Sequence, residues 1–123
     1  MDVNLETGKR IFKTVSSGGV GIFRTDVGYA IVGQSAPAIE RIFTHKKRSY
    51  DKPCGCFGSL EMFDELIECT PQARDFVHSV VGVYGLPLSI VGRFRPEHPI
   101  IANADPFAVK HGTKGGTIDL LMN

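Results

Sequence analysis

"AIERIFTHKKRSYDKPCGCF", residues 38–57, passes from a helical pattern through a cluster of positive charge into a short apolar segment. Ile39, Ile42 and Phe43 recur at helical spacing and fall on one face. Ser35 stands where an N-cap belongs, and Pro37 is tolerated in the first turn. "CGCF", residues 54–57, reads as a buried strand. Between them Lys46, Lys47, Arg48 and Lys52 crowd together in a chain whose formal net charge is only +1. So much charge where a helix hands over to a strand is either a solvated loop or a local anion site. Lys46 and Arg48, two apart, would diverge on a helix but point to the same side of an extended exit loop. There Arg48 offers a planar fork to two phosphate oxygens, and Lys46 a mobile point charge.

Working outward, Leu5, Ile11, Phe12 and Val15 form a helical stripe that stops at Gly18-Gly19. "VGIF" (20–23) and "GYAIVG" (28–33) are predicted strands. Ser59 caps "LEMFDELI", with Glu61 near its start and Phe63, Leu66 and Ile67 as a core stripe. Thr70 and Pro71 open the helix "QARDFVHSVV". "LPLSIVG" (86–92) and "GTIDLLM" (116–122) close the list of strands. Helices and strands alternate, which predicts an α/β class: an open, twisted, mixed sheet, partly parallel, with helices packed on it.

The chain has 123 residues, 42% hydrophobic and 22% charged, the balance of one globular domain rather than a disordered chain. With so little net charge, any basic site must be local. The N-terminus lacks the apolar segment of a signal peptide, and no apolar run approaches the ~18 residues of a membrane helix. Cys54, Cys56 and Cys69 form no disulfide pattern and fit a reducing compartment. A soluble cytoplasmic domain is expected. Cys54-x-Cys56 lacks metal-site spacing, His45, His78, His98 and His111 show no paired-ligand arrangement, and "GTKGGT" is not a phosphate loop. No catalytic residue and no metal ligand is singled out. Ile118, Leu120, Leu121 and Met122 at the chain end have no following element to cover them. They predict a homodimer through that patch, or else a strand folded back inside the domain's own sheet.

Three segments taken together resemble the YrdC-like family, the threonylcarbamoyl-AMP synthases and their relatives. "RTDVGYAI" (24–31) is similar to the family's "PTDTVYGL", matching at Thr25, Asp26 and Tyr29. The helix end "THKKRSYDKP" carries Lys46, Arg48, Lys52 and Pro53 in register with the family's Lys-x-Arg and (K/N)P. "GLPLS" (85–89) looks like "PGPLT", aligning Pro87, Leu88 and Ser89. The likeness spans roughly residues 18–93. The chain departs from the family in lacking a serine-rich "SxSAN"-like loop, and "PEHP" (96–99) follows the "PLS" strand so closely that an intervening hairpin must be missing. A shortened domain is expected.

The resemblance implies a nucleotidyltransferase that joins ATP, L-threonine and bicarbonate into threonylcarbamoyl-AMP for tRNA modification. ATP is then a substrate, with Mg²⁺ as its companion ion, and nothing is tightly bound. The implied nucleotide-binding residues are Arg48, Lys52 and Ser89; the implied substrate-binding residues are Thr25, Tyr29, Lys46 and Arg93. Thr25, Lys46, Arg48 and Ser89 are expected to line one cleft. The alternative is a non-catalytic module of the same fold that binds nucleotide, tRNA or double-stranded RNA.

Overall fold

Helix α1 (Leu5–Ser16) ends because the backbone turns left-handed at Gly18, φ +84°. The Gly18 N–H donates to the Val15 carbonyl at 3.0 Å and the Gly19 N–H to Thr14 at 2.9 Å, the double closure of a Schellman turn. Strands β1 (Gly21–Thr25) and β2 (Gly28–Val32) follow as an antiparallel pair, from Gly21 opposite Val32 to Thr25 opposite Gly28. Ile11 and Val15 of α1 lie so close to Gly21 that a Cβ there would meet their methyls at 3.0 and 3.2 Å. Phe12, expected on that same stripe, is instead exposed. The computed structural model describes residues 5–25 and 28–122; Asp26, part of the resemblance, lies outside them.

Helix α2 (Ala36–His45) buries Ala38, Ile39, Ile42 and Phe43, the face the spacing predicts, with Pro37 in its first turn. Its cap differs from expectation. The Ser35 side chain makes no capping bond; Asp105 Oδ2 accepts the Ala36 N–H at 3.0 Å instead. The carboxylate comes from far along the chain, so no local signal announces it. The other end of α2 closes as α1 does, the Lys47 N–H donating to Thr44 at 3.1 Å and the Arg48 N–H to Phe43 at 2.9 Å. Here the left-handed position, φ +49°, is held by Lys47, the one described non-glycine residue in that region. A side chain there costs about 1–2 kcal/mol. Cations beside the negative helix end return part of that, about 0.3–1 kcal/mol each.

The chain divides into two compact units: the part up to Lys52 with Asp105–Ala108, and Pro53–Ala104 with the part from Val109 on. The second unit is built on a five-stranded sheet. Strand β3 (Cys56–Phe57) leads to α3 (Leu60–Leu66), β4 (Ile67–Glu68) and α4 (Pro71–Val77). A π-helical turn (His78–Val83) prolongs α4 and is followed by β5 (Leu88–Phe94). Then come α5 (Pro99–Ala102), α6 (Pro106–Gly112, which begins in the first unit), β6 (Thr113–Lys114) and β7 (Thr117–Met122). The sheet order is β3-β7-β5-β4, with β6 also on β7; only β3–β7 is parallel. Ser59 and Thr70 cap α3 and α4 as their sequence positions predict, accepting from Met62 and Ala73 at 3.2 Å.

Strand β7 is interior. Its Ile118, Leu120 and Met122 join Phe63, Leu66, Ile67 and Val77 in the core. The second of the two expectations for the chain end therefore holds, and the uncovered apolar run that motivated a homodimer does not exist in this fold. Strands β4 and β6 and helices α5 and α6 have no counterpart in the sequence assignment, and Ile67, placed at the end of a helix, starts a strand.

Asp64 on α3 ties that helix to α4. It accepts from Arg74 Nη1 at 2.5 Å and from His78 Nε2 at 2.9 Å, while Arg74 Nη2 donates to the Ile67 carbonyl at 3.3 Å. These bonds, that from His78 foremost and then that from Arg74, hold the Asp64 carboxyl below the usual carboxylate range against the opposing effect of desolvation. A folded-state value below the unfolded one adds stability above the unfolded value, and that stability is lost as pH falls through the folded value. Asp64→Asn is therefore expected to cost about 1 kcal/mol near neutrality, discounted for its partial exposure. In urea titrations that cost should shrink in acid; an equal cost at both pH values would contradict the assignment. Separately, Lys47→Gly should be more stable than Lys47→Ala, which loses the same cation, by roughly 0.5–1 kcal/mol, the relief of left-handed strain less the added unfolded-chain entropy. A glycine variant no more stable than the alanine one would refute the strain.

Candidate nucleotide-binding site

The exit of α2 is a tight turn and not the extended loop the sequence suggested. Lys46 is still helical, φ −80° and ψ −4°, and Lys47 is left-handed, so the alternation that would align Lys46 with Arg48 is absent. Charge is concentrated here by turn geometry. Lys46, Lys47 and Lys52 are exposed, whereas Arg48 is half-buried with its guanidinium carbon 5.9 Å from the centre of the Phe43 ring. A second turn, the Lys52 N–H donating to Ser49 at 3.2 Å, follows at once. The result is one guanidinium held on an aromatic ring with mobile ammonium groups around it. Such a set suits a multiply charged anion: the fork fixes direction and the lysines supply charge.

Thr25 ends β1 in the same unit. Its hydroxyl donates to the Gly28 carbonyl at 2.9 Å, closing the hairpin. With that proton committed, the oxygen can only accept, so a substrate N–H or O–H is the partner it suits. Tyr29 stands opposite Arg24 on β2 and is 80% exposed.

Ser89 and Arg93 belong to the second unit, on the outward face of β5. Ser89 Oγ donates to Asp119 Oδ1 on β7 at 2.5 Å. A carboxylate there repels phosphate, so Ser89 suits donor groups of a nucleotide, such as ribose hydroxyls, better than its phosphates. Arg93 lies opposite Glu68 on one side and Thr117 on the other, on an interior strand. "PLS" and "PEHP" are joined by the single strand β5, with no hairpin between them.

Two of the four histidines have side-chain partners that bear on the fold. Besides His78 with Asp64, His98 Nε2 lies 3.2 Å from Glu65, and its Nδ1 accepts the Ile100 N–H at 3.2 Å, capping α5. Two glycines at positive φ, Gly115 and Gly116, turn β6 into β7; the Gly-Gly pair is a hairpin signal of the tight two-residue kind. Among the described residues no three His, Cys, Asp or Glu side chains gather where they could hold a metal ion. Nor is any described helix long and apolar enough to cross a membrane.

With hairpin, basic helix exit and β5 strand in this order, the chain belongs to the Sua5/YciO/YrdC family. The family's sequence model, described as "Telomere recombination", matches residues 13–103, a span that takes in Thr25, Tyr29, Lys46, Arg48, Lys52, Ser89 and Arg93. Among solved structures the chain is similar to the hypothetical protein smu.1377c from Streptococcus mutans UA159. The TM-score is 0.82 and the identity 26%, over 93% of this chain and 46% of that one. This chain thus spans about half the length of that neighbour. No curated protein matches it.

The cysteines beside Asp119 give a direct check on this geometry. Burial, then the neighbouring Cys54 and Asp119, push the Cys56 thiol up from its ordinary value, whereas Cys69 is exposed. Because the thiolate is the reacting form, timed alkylation at mildly alkaline pH, followed by peptide mass spectrometry, should label Cys69 well before Cys56. Equal rates would mean that β3 is open.

Proposed function

We propose that this chain binds ATP through its phosphates at the α2 exit, as part of a site of the threonylcarbamoyl-AMP synthase type. The observation that supports this most is the half-buried Arg48 guanidinium over Phe43, flanked by Lys46, Lys47 and Lys52 inside the family match. In that reaction the amine of L-threonine bonds to the carbon of bicarbonate, and water leaves to give a carbamate. A carbamate oxygen then attacks the α-phosphorus of ATP, and the bond to pyrophosphate breaks. Three anionic groups meet, so fixed positive charge is the main thing a protein must supply. Arg48 and Lys52 serve the phosphates, and Lys46 serves the carboxylate or carbamate. Thr25 accepts a hydrogen bond from the substrate, and Tyr29 follows Gly28, the residue opposite Thr25 on the hairpin.

One observation favours a second assignment, a nucleotide- or RNA-binding module without turnover. Ser89, given to ATP by family resemblance, is hydrogen-bonded to the Asp119 carboxylate. An RNA backbone would use the same basic turn, because phosphate contacts carry no sequence information.

Calorimetry with ATP tests the binding. Arg48→Ala should weaken it by roughly 1.5–3 kcal/mol, the range for a charge-assisted hydrogen bond. Arg48→Lys should restore part, since charge returns without the fork. Threonine- and bicarbonate-dependent pyrophosphate release would establish the synthase; binding without release would establish the module. Failure of the folded wild-type protein to bind ATP would refute the proposal.

A further inference from the structure

We propose that Tyr50 and Phe107 are positioning residues for Arg48, acting through the Phe43 ring; this rests on the assignment of Arg48 to phosphate made above. Phe43 is 1% exposed and its carbonyl accepts the Arg48 N–H at 2.9 Å, so its backbone already anchors the turn. Its ring, 5.9 Å from the Arg48 guanidinium carbon, anchors the side chain too. Tyr50 stacks on that ring, centroids 4.7 Å apart and planes inclined by only 10°. Phe107 meets Tyr50 edge-on at 6.1 Å and 88°. The three rings and the guanidinium therefore form one connected assembly beyond the last turn of α2.

Phe107 reaches this place because Asp105 fixes its segment. Asp105 Oδ1 accepts the Phe107 and Ala108 N–H groups at 2.8 and 3.4 Å, while Oδ2 accepts the Ala36 N–H at the start of α2. One carboxylate thus ties residues 105–108 to the first turn of the helix, and two residues later a ring abuts the loop that leaves its last turn. Stacked and edge-to-face pairs are favoured arrangements of aromatic rings. A cation over a ring face is attracted by its quadrupole. An arginine already held on a fixed ring loses less freedom when it meets an anion, which is how pre-organisation raises affinity. Tyr50 is half-exposed.

The test reads Arg48 itself as well as the ligand. In the free protein, the Arg48 Nε–Hε signal should lose its ring-current shift and gain mobility in Tyr50→Ala and Phe107→Ala, and stay as in wild type in Tyr50→Phe. Phe107→Leu, which keeps bulk without the aromatic edge, serves if Phe107→Ala does not fold. ATP affinity should fall roughly three- to ten-fold in Tyr50→Ala, and that loss should vanish when Arg48→Ala is already present, the sign of residues acting through one another. A folded Tyr50→Ala with an unchanged Arg48 signal overturns the proposal. So does an affinity loss that persists undiminished in the Arg48→Ala background. A wild-type protein that binds no ATP, but whose Arg48 signal responds to Tyr50→Ala, overturns the phosphate assignment and leaves the positioning role standing.

Discussion

A strand inside a sheet must have both backbone edges paired and its apolar face covered, and in the second unit that requirement falls on β7. It pairs with β3 on one side and with β5 along six residue pairs, from Leu88 with Met122 to Arg93 with Thr117, on the other. Its alternate residues Ile118, Leu120 and Met122 are buried under α3 and α4 side chains. Other features of the unit answer to it. Gly55 and Gly58 flank β3 because a Cβ at either would come within 2.5 Å of a β7 leucine methyl. The last strand of the chain thus organises segments that precede it by more than half the sequence, and such long-range pairing forms slowly.

In the first unit the controlling feature is the end of α2. The same Schellman closure is made twice, once with Gly18 and once with Lys47 in the left-handed position. Glycine is the unstrained choice there. Lysine keeps the turn and adds charge beside the helix end, which is consistent with strain being tolerated where a basic surface is needed. The positive cluster that stands out in a nearly neutral sequence is thus both a helix terminus and a presentation of Arg48.

Features carried by local periodicity were legible in the sequence. The buried face of α2, the core stripe of α3 and the caps at Ser59 and Thr70 follow from spacing and cap chemistry alone. The extended pairing of β7 was open to two interpretations, because the run 118–122 shows apolar content without showing what covers it. Two-residue strands such as β4 are too short to carry a period, and four-residue α5 is started by His98, an unusual cap. The Asp105 cap on α2 was illegible for a different reason: its partner is sixty-nine residues away. The basic residues of the candidate site were visible as a motif. Their geometry was not, because an extended exit and a left-handed turn have the same composition, and glycine, the usual marker of the turn, is absent.

If the α2 exit is the proposed anion site, the backbone around it must respond to a nucleotide. Titrating ¹⁵N-labelled protein with ATP and following backbone amides tests it most directly. Saturable shifts concentrated at Lys46, Lys47, Arg48 and Lys52, with a smaller effect at Thr25, are expected. Shifts that are absent, that fail to saturate, or that cluster elsewhere while the α2 exit stays unmoved would contradict it.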